Sequence, residues 1–319
     1  MISRFLKSTI NEIVEAAVAK RLGDVDNLVN ERVGRAISQR VFWPLLPSMH
    51  HDATAPFMRY SSCSAADMLH PRYSELSSLL SHPPVFHRKL WEWIFITHHL
   101  LEAGAIEPGK RGLCFGVGSE ALPALFAARG VAVTATDAPP SVSESSGWVK
   151  SGQHAASRES LRKSNICPND RFDDLVTYRH CDMNDIDPDL TGYDFAWSSC
   201  CFEHLGSLEA GMQFVINSIE RCLKPGGIAV HTTELNLSSD ENTLTSGGTV
   251  LYRRRDIGEL VSRLTERGHD VQPFTQAPDA HVLDFHVDAP PYTHDPHLKL
   301  NIAGYVSTSV GVVVRRGLS

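Results

Sequence analysis

Apolar and polar positions alternate with helical spacing at the start of the chain. From Leu6 to Ile37 the apolar residues recur three or four positions apart, with a break near Gly23. This spacing predicts an amphipathic helix or a helix pair within residues 1–45. Such a segment could pack on the rest of the protein, associate with another copy into a homo-oligomer, or lie on a membrane surface. Its mixed charges disfavour the membrane.

A second helical unit is predicted within residues 46–105, where it follows a linker containing proline. The run "HRKLWEWIFITHHLLEAG" keeps helical spacing from Leu90 to Leu101, and Gly104 stands where a helix would end. We interpret the unit as a helical cap that leads into the main domain. It also contains three histidines without the further ligands that a metal site needs at close spacing: His87, His98 and His99.

Residues 106–319 alternate between two patterns. Short apolar runs rich in β-branched residues predict strands, and helical patterns ending in glycine separate them. Strands separated by helices form parallel βαβ units. The sequence therefore predicts an α/β fold with a doubly wound, mostly parallel, seven-stranded sheet and helices on both faces.

A polar insertion interrupts this pattern at about residues 277–300. It is rich in Asp, Pro and His, and we expect it to be too polar to enter the core. Its position before the last strand favours a lid over the site. The alternative is a metal site that uses His281, Asp284 and His286. Two further histidines belong to the same segment, His294 and His297.

Composition and charge narrow the class of protein. The chain has 319 residues, of which 42% are hydrophobic and 21% charged, as in ordinary globular proteins. A net charge of -7 gives no reason to expect nucleic acid as a partner. The seven cysteines include no CxxC pair, which favours reduced thiols and a cytoplasmic location. Charged residues interrupt the first twenty residues, so we expect neither a signal peptide nor a membrane span.

A glycine turn between the first strand and the first helix of the main domain suggests a nucleotide site. The stretch from Gly116 to Ala121 fits GxGxxA, and Asp137 lies at the end of the second strand, nineteen positions after Gly118. Dinucleotide-binding folds share this pattern. However, Glu120 at the helix start would repel a pyrophosphate, whereas it suits a cationic group such as an amino acid's ammonium.

A second motif, "RCLKPGGIAVHTTE", ends a helix in Leu-Lys-Pro-Gly-Gly before an apolar strand. With "LCFGVGSE", it resembles the class I S-adenosylmethionine-dependent methyltransferases over about Pro108 to Val314. The sequence departs from the family pattern twice, because Cys114 replaces the usual acid and Glu120 the usual third glycine. We hypothesise that Glu120 replaces the missing carboxylate near the methionine moiety of the cofactor.

The resemblance implies a set of residues that bind S-adenosylmethionine. Asp137 would accept hydrogen bonds from the ribose hydroxyls, and Asp182 one from the adenine amino group, while Met183 packs on the base. The strand-four motif "WSSCCFEHLGS" would line the sulfonium end of the pocket. The complete set is Phe115, Gly116, Val117, Gly118, Glu120, Asp137, Ala138, Asp182, Met183, Ser198, Ser199 and Cys200.

Methyl transfer to an alcohol or a protonated amine also needs a group that removes a proton. His204, just past the fourth strand, and Glu234, at the end of the fifth, are the candidate catalytic residues, because ligands bind beyond the carboxyl ends of parallel strands. A structural role at a helix start is the alternative for His204. His231 and Asn236 are further candidates near the fifth strand. The adjacent thiols of Cys200 and Cys201 are interpreted as small residues that fill a crowded strand end.

The resemblance implies a methyltransferase acting on a small molecule or a glycan, most simply on a hydroxyl. Together with the helical N-terminal segments and the ending "HLKLNIAGYVSTSVGVVVRR", these motifs resemble bacterial methyltransferases of surface-polysaccharide or secondary-metabolite pathways. Two alternatives stay open from the sequence. One is a methyltransferase-like protein that binds without catalysis, which Cys114 keeps open. The other is an NAD-dependent oxidoreductase that uses the GxGxxA turn.

Overall fold

A computed structural model describes residues 14–33, 56–139, 157–293 and 295–318. Helix α1 covers residues 14–33. The other helices are α2 Ala65–Leu69, α3 Pro71–Leu79, α4 Arg88–Glu102, α5 Leu122–Ala128, α6 Asn169–Leu175, α7 Leu208–Asn217 and α8 Arg254–Glu266. The strands are β1 Arg111–Phe115, β2 Ala132–Asp137, β3 Val176–His180, β4 Tyr193–Ser199, β5 Gly206–Ser207, β6 Leu223–Asn236, β7 Ser246–Gly247, β8 Asp270–Val271, β9 Val287–Asp288, β10 Lys299–Ile302 and β11 Tyr305–Arg315.

The central sheet has the order β3-β2-β1-β4-β6-β11-β10-β9, and β8 pairs with β11. The first five strands of this order run parallel, whereas β11 is antiparallel to β6. The predicted doubly wound, mostly parallel sheet is therefore confirmed. The predicted strand count was wrong, because the sheet has nine strands rather than seven within the described residues. The short strands β8 and β9 are two residues each, too few for an alternating pattern to reveal.

Two apolar clusters cover the two faces of the sheet. On one face α4 and α5 pack with the large side chains of Phe126, Phe195 and Trp197. On the other face α7 and α8 pack with Phe115 and Phe214, among others. Successive residues of β4 alternate between the clusters, as side chains of a strand do. The carboxyl ends of β1, β2, β4 and β6 thus meet at one edge, between two layers of helices.

The helical cap is held together around the first turns of α4. His87 caps the start of this helix by accepting a hydrogen bond from the amide of Lys89. The indole of Trp91 donates to Asp67 of α2 at 2.9 Å, inside the core. The predicted helix from Leu90 to Leu101 is therefore confirmed, with bounds of Arg88–Glu102. The packing brings the first turn of α4 over the carboxyl end of β4.

The segment 277–300 is incorporated into the sheet rather than excluded from the core. It supplies β9 and leads into β10, and Leu283 and Leu298 are fully or almost fully buried. Its polar residues are buried as partners of one another: Asp288 contacts His297 Nδ1 at 2.6 Å. The expectation that this segment is too polar for the core was wrong, because internal hydrogen bonds replace its contacts with water. Its role as a lid stays a prediction.

Helix α1 has a different environment from the other helices. Residues 14–33 are exposed, except for a half-buried Glu31. The rest of the amphipathic segment, 1–13 and 34–45, lies outside the described residues, as does the linker up to residue 55. In the part of the chain that the structure describes, no helix combines the length and apolar character needed to cross a membrane.

Candidate active site

The turn after β1 brings the backbone close to a neighbouring side chain. Gly116 and Gly118 have φ values of 61° and 51°, in the region that favours glycine. A Cβ on Gly116 would lie only 2.5 Å from Cys201 Sγ. The amide of Val117 donates to the Thr136 carbonyl of β2, which fixes the turn against the sheet. The two predicted glycines are therefore required by conformation, and one of them also by space.

Asp137 ends β2 directly beside this turn. Its carboxylate accepts hydrogen bonds from the amides of Gly118 at 3.0 Å and Ala138 at 2.8 Å. These bonds orient the two oxygens at the carboxyl end of the sheet. Carboxylate oxygens accept hydrogen bonds, so this position suits hydroxyl donors such as those of a ribose. Phe115, by contrast, is a fully buried core residue.

Glu120 lies before α5 rather than inside it, because the helix begins at Leu122. Its side chain is buried and turned inward. The Trp197 indole donates to Glu120 Oε1 at 2.7 Å, and the Cys114 thiol does so at 3.2 Å. Burial raises the pKa of Glu120 to about 7, and these two hydrogen bonds act in the opposite direction. Cys114 stands where the family pattern has an acid. Its thiol thus lies beside the carboxyl group of Glu120.

The turn after β3 carries Asp182 and Met183. The Asp182 carboxylate accepts from the amide of Asn184 at 2.9 Å, and the residue is half-buried. Met183 is buried, with its sulfur 3.8 Å from where a Cβ on Gly116 would lie. Asp182 and Met183 therefore lie at the same edge as the glycine turn, and their contact with adenine stays a prediction.

The end of β4 sends its side chains in different directions. The Ser198 hydroxyl bonds to His231 Nδ1 at 2.8 Å in the layer of α7, whereas the Ser199 hydroxyl donates to Glu92 of α4 at 2.9 Å. Cys200 has a φ of 48°, which is uncommon for a residue with a side chain. Residues with such backbone conformations cluster at functional sites. Cys201 packs on the glycine turn, with Sγ 3.3 Å from the Gly116 carbonyl oxygen.

The imidazole of His231 is enclosed in the core. Its two nitrogens contact the hydroxyls of Ser198 and Ser218, and burial lowers its pKa to about 3. These partners give it a structural role and remove it from the candidate bases.

The first turns of α4 contribute charged residues that the sequence interpretation missed. Glu92 is fully buried and accepts hydrogen bonds from Lys89 at 2.7 Å and Arg88 at 3.2 Å. These cations lower its pKa to about 2 against the effect of burial. Ser199 and Cys200 of the β4 end also donate to it. The available signal was an acid inside the apolar run "LWEWIF", four positions after an arginine.

Glu203 and His204 follow β4 in a short 3₁₀ turn. Glu203 is fully buried. Thr233 donates to its Oε2 at 3.0 Å, while its Oε1 has no hydrogen-bond partner in the described part of the chain. His204 Nδ1 is 2.8 Å from the Gly248 carbonyl oxygen, so this nitrogen carries the proton. The other nitrogen, Nε2, lies 3.8 Å from Glu203 Oε1.

Glu234 of β6 forms an ion pair with Arg88 at 2.6 Å and accepts from Ser307 at 3.1 Å. Burial raises its pKa, and Arg88 acts in the opposite direction. Cys200, Glu203 and Glu234 offer three metal-ligand atoms within 4.8 Å of one another. Because the Arg88 guanidinium contacts Glu234 and lies 3.5 Å from Cys200 Sγ, positive charge is already supplied there.

The suggested metal set of the C-terminal segment does not assemble. Asp284 accepts from the amides of Ala65 and His281, and His281 Nδ1 accepts from the amide of Leu283. The bond from Ala65 joins the segment to the helical cap, and the other two cap the short turn Val282–Phe285. Of the histidines there, His294 lies outside the described residues, and His297 is buried against Asp288.

The groups around the glycine turn suit one kind of cofactor. The turn lacks the Cβ atoms that would block close approach, Asp137 offers hydroxyl acceptors, and Glu120 offers a buried acid for an ammonium group. Beside them are the sulfur of Met183 and the strand-four thiols. The groups match an adenine nucleoside joined to an amino acid, which is the chemistry of S-adenosylmethionine. A pyrophosphate would instead meet the Glu120 carboxyl group.

A known protein family matches the central part of this chain. Residues 113–231 match the profile of a family described as "Methyltransferase domain". No curated protein matches the chain.

Three of the solved structures that are similar to this chain are methyltransferases with low sequence identity to it. The first, described as a sarcosine dimethylglycine methyltransferase from Galdieria sulphuraria, has 16% identity and a TM-score of 0.43 over 72% of this chain and 84% of that one. A phosphoethanolamine N-methyltransferase of Haemonchus contortus has 15% identity and a TM-score of 0.41 over 69% of this chain and 52% of that one. A 1,6-didemethyltoxoflavin-N1-methyltransferase of Burkholderia thailandensis has 16% identity and a TM-score of 0.38 over 77% of this chain and 79% of that one.

Proposed function

We propose that this chain is a class I S-adenosylmethionine-dependent methyltransferase that methylates a hydroxyl group of a small molecule or a glycan. The match of residues 113–231 to a methyltransferase domain supports the class of enzyme. The observation that carries the choice of a hydroxyl is the Glu203–His204 pair at the carboxyl end of β4. A hydroxyl must lose its proton as it is methylated, and this pair can accept one. The seven unpaired cysteines support a cytoplasmic location.

Binding of the cofactor is assigned to the edge formed by β1, β2, β3 and β4. The glycine turn admits it, Asp137 accepts from its ribose and Asp182 from its adenine, and Glu120 faces its ammonium group. The bound cofactor supplies an electrophilic methyl group on a sulfonium. Since the leaving group is already activated by charge, the protein mainly positions the acceptor for in-line attack.

His204 is the proposed base. The Gly248 carbonyl holds the proton on Nδ1, so Nε2 can accept the proton of the acceptor hydroxyl. The resulting imidazolium would be stabilised by Glu203, whose Oε1 is 3.8 Å away in a buried setting. Removal of a general base costs roughly 10²- to 10⁴-fold in rate.

Glu234 is proposed to hold Arg88 rather than to remove a proton. Its 2.6 Å ion pair and the Ser307 hydrogen bond use both carboxylate oxygens. Arg88 and Lys89, from α4, would then shape the acceptor side of the site together with Glu92. Of the two catalytic candidates in the sequence, the contacts therefore favour His204.

The test combines ligand binding with activity. Thermal denaturation with S-adenosylmethionine, S-adenosylhomocysteine and NAD should show stabilisation by the first two only, by about 2.7 kcal/mol at a hundredfold excess over the dissociation constant. Release of S-adenosylhomocysteine is then measured with a panel of sugars and phenols and with matching amines. We expect turnover with hydroxyl compounds. Turnover confined to amines would contradict the proposed acceptor.

Variants separate catalysis from mere binding. His204→Gln should lower turnover about a hundredfold or more while it leaves the cofactor-induced stabilisation unchanged. His82→Gln is the matched control, because His82 lies in the loop after α3 and contacts the Pro83 carbonyl. Binding of both cofactor forms without turnover on any acceptor would favour the non-catalytic alternative. Stabilisation by NAD alone would favour an oxidoreductase.

A further inference from the structure

Helix α1 presents a stripe of apolar side chains to solvent. Each of these side chains is 50–62% exposed: Val14, Val18, Leu22, Val25, Val29 and Val33. A contiguous exposed apolar surface of this kind marks an interaction site in a folded protein. Nothing in the proposed active site accounts for it.

The stripe arises from an internal repeat. Residues 14–24 read VEAAVAKRLGD and residues 25–35 read VDNLVNERVGR, so that apolar residues, arginine and glycine recur eleven positions apart. Eleven residues complete three helical turns at 3.67 residues per turn, close to the 3.6 of a straight helix. The apolar positions therefore stay on one face along the whole helix. A repeat of this period suits pairing of helices with a slight right-handed supercoil.

The charged residues flank this stripe asymmetrically. At 3.67 residues per turn, Arg21 and Arg32 fall on one side of the line from Val14 to Val25, and Glu15 and Asp26 fall on the other. Leu28 lies beyond the arginines. When two identical helices pair in parallel about a twofold axis, opposite edges meet, and arginine faces acid. When they pair antiparallel, like edges meet, and arginine faces arginine.

We propose that α1 binds α1 of a second copy of this chain in parallel, so that the protein is a dimer held by its N-terminal helices. The apolar stripe forms the seam, and Arg21 and Arg32 pair with the acids of the opposite edge. Residues 14–33 carry four acidic and three basic side chains, so anionic lipid offers no net attraction.

The first test measures the mass of the full chain by sedimentation equilibrium. The wild type should be a dimer, and Val18→Asp with Val29→Asp should make it a monomer whose body unfolds at the same temperature. Ala16→Asp with Asn27→Asp places the same charges on the opposite face and should leave the dimer intact. A wild type that is monomeric at all concentrations, or a dimer that survives the seam variant, would overturn the proposal.

The second test reverses the charged edges. The variants R21E/R32E and E15K/D26K should each weaken the dimer about tenfold or more, because attraction becomes repulsion at every pair. Mixing the two should restore a heterodimer of near wild-type affinity. Weakening by neither variant would show that the edges do not meet.

Two further measurements report the orientation of the paired α1 helices and their binding to membranes. Val14→Cys should crosslink to itself under mild oxidation, since parallel pairing brings equal positions together, whereas Lys20→Cys on the outer face should not. Absence of the Val14→Cys crosslink in a proven dimer would refute the parallel arrangement. Flotation of monomeric wild type with vesicles of phosphatidylserine and phosphatidylcholine would assign the stripe to lipid instead.

Discussion

At the scale of single residues, the pair Cys114 and Glu120 shows how a lost charge can be recovered in space. The two residues are six positions apart in the sequence, yet the Cys114 thiol is 3.2 Å from the Glu120 carboxyl oxygen. Trp197 donates to the same oxygen. The buried carboxyl group is therefore retained near the position where the family pattern places an acid. This placement supports the hypothesis that Glu120 replaces it.

Replacing Glu120 by Gln should weaken S-adenosylmethionine binding about tenfold or more, since a charge-assisted hydrogen bond becomes a neutral one. Isothermal calorimetry measures the change. In the wild type, affinity should also fall by about tenfold or more from pH 7.5 to pH 5.5, because Glu120, with a pKa of about 7, becomes protonated. The Gln variant should lack that decrease. Equal pH profiles of both proteins would remove Glu120 from the site.

The control moves the acid back to the family position. Glu120→Gln combined with Cys114→Asp should recover part of the lost affinity, whereas Cys114→Asp alone places two buried acids side by side and should destabilise the protein. The same pKa also affects the stability of the ligand-free wild type. The raised pKa of Glu120 stabilises the fold below its usual value of 4.5, and this contribution is lost as the pH rises through about 7.

At the scale of elements, the β1–α5 turn depends on backbone conformation more than on side chains. The turn needs a positive φ at Gly116 and leaves no room for a Cβ beside Cys201. By contrast, the helix that follows begins two residues later than the sequence pattern predicts, because Glu120 turns inward. The element is thus shaped by what the core and the ligand both require.

Gly116→Ala should lower the free energy of unfolding by about 1–3 kcal/mol and abolish cofactor binding, because it adds strain and a contact with Cys201. Urea denaturation and the cofactor-induced thermal shift measure the two effects. Gly258→Ala is the matched control, since nothing lies within 4 Å of its added Cβ in α8. It should stabilise by about 0.4–1 kcal/mol. A neutral Gly116→Ala would show that the turn tolerates a side chain.

At the scale of the whole molecule, Glu92 connects the cap to the sheet. It lies on α4 and accepts hydrogen bonds from the end of β4 and from Ser309 of β11. The C-terminal segment adds a second connection, since Asp284 accepts from the amide of Ala65 in α2. The cap and the C-terminal edge of the sheet therefore stabilise one another across more than two hundred residues of sequence.

Because the folded pKa of Glu92 is about 2 rather than 4.5, its ionisation stabilises the fold above pH 4.5, and this contribution is lost as the pH falls towards 2. The shift corresponds to about 3 kcal/mol. Urea unfolding at pH 7, 4 and 3 should therefore show a smaller loss of stability for Glu92→Gln than for the wild type. At pH 7 the variant should be less stable by about 3–5 kcal/mol, because two cations lose a partner. Glu102→Gln, exposed at the end of the same helix, should match the wild type at every pH.

Local signals in the sequence determined the class of fold and much of the cofactor edge. The glycines of the first turn, Asp137 and the Leu-Lys-Pro-Gly-Gly motif are short-range features, and their neighbours along the chain impose the same requirements as the folded protein. The helix from Arg88 to Glu102 was visible for the same reason, since its apolar spacing is local.

Only the tertiary structure decided which partners the charged residues have. Glu92 and Arg88 lie at the proposed acceptor side because packing of α4 brings them to strands more than a hundred residues away. His231, a candidate base by position, is enclosed between two serines. The polar segment near residue 288 enters the sheet because its acids and histidines bond to one another. A side chain's chemistry is fixed by the sequence, but its pKa, burial and partners depend on long-range contacts that no local pattern encodes.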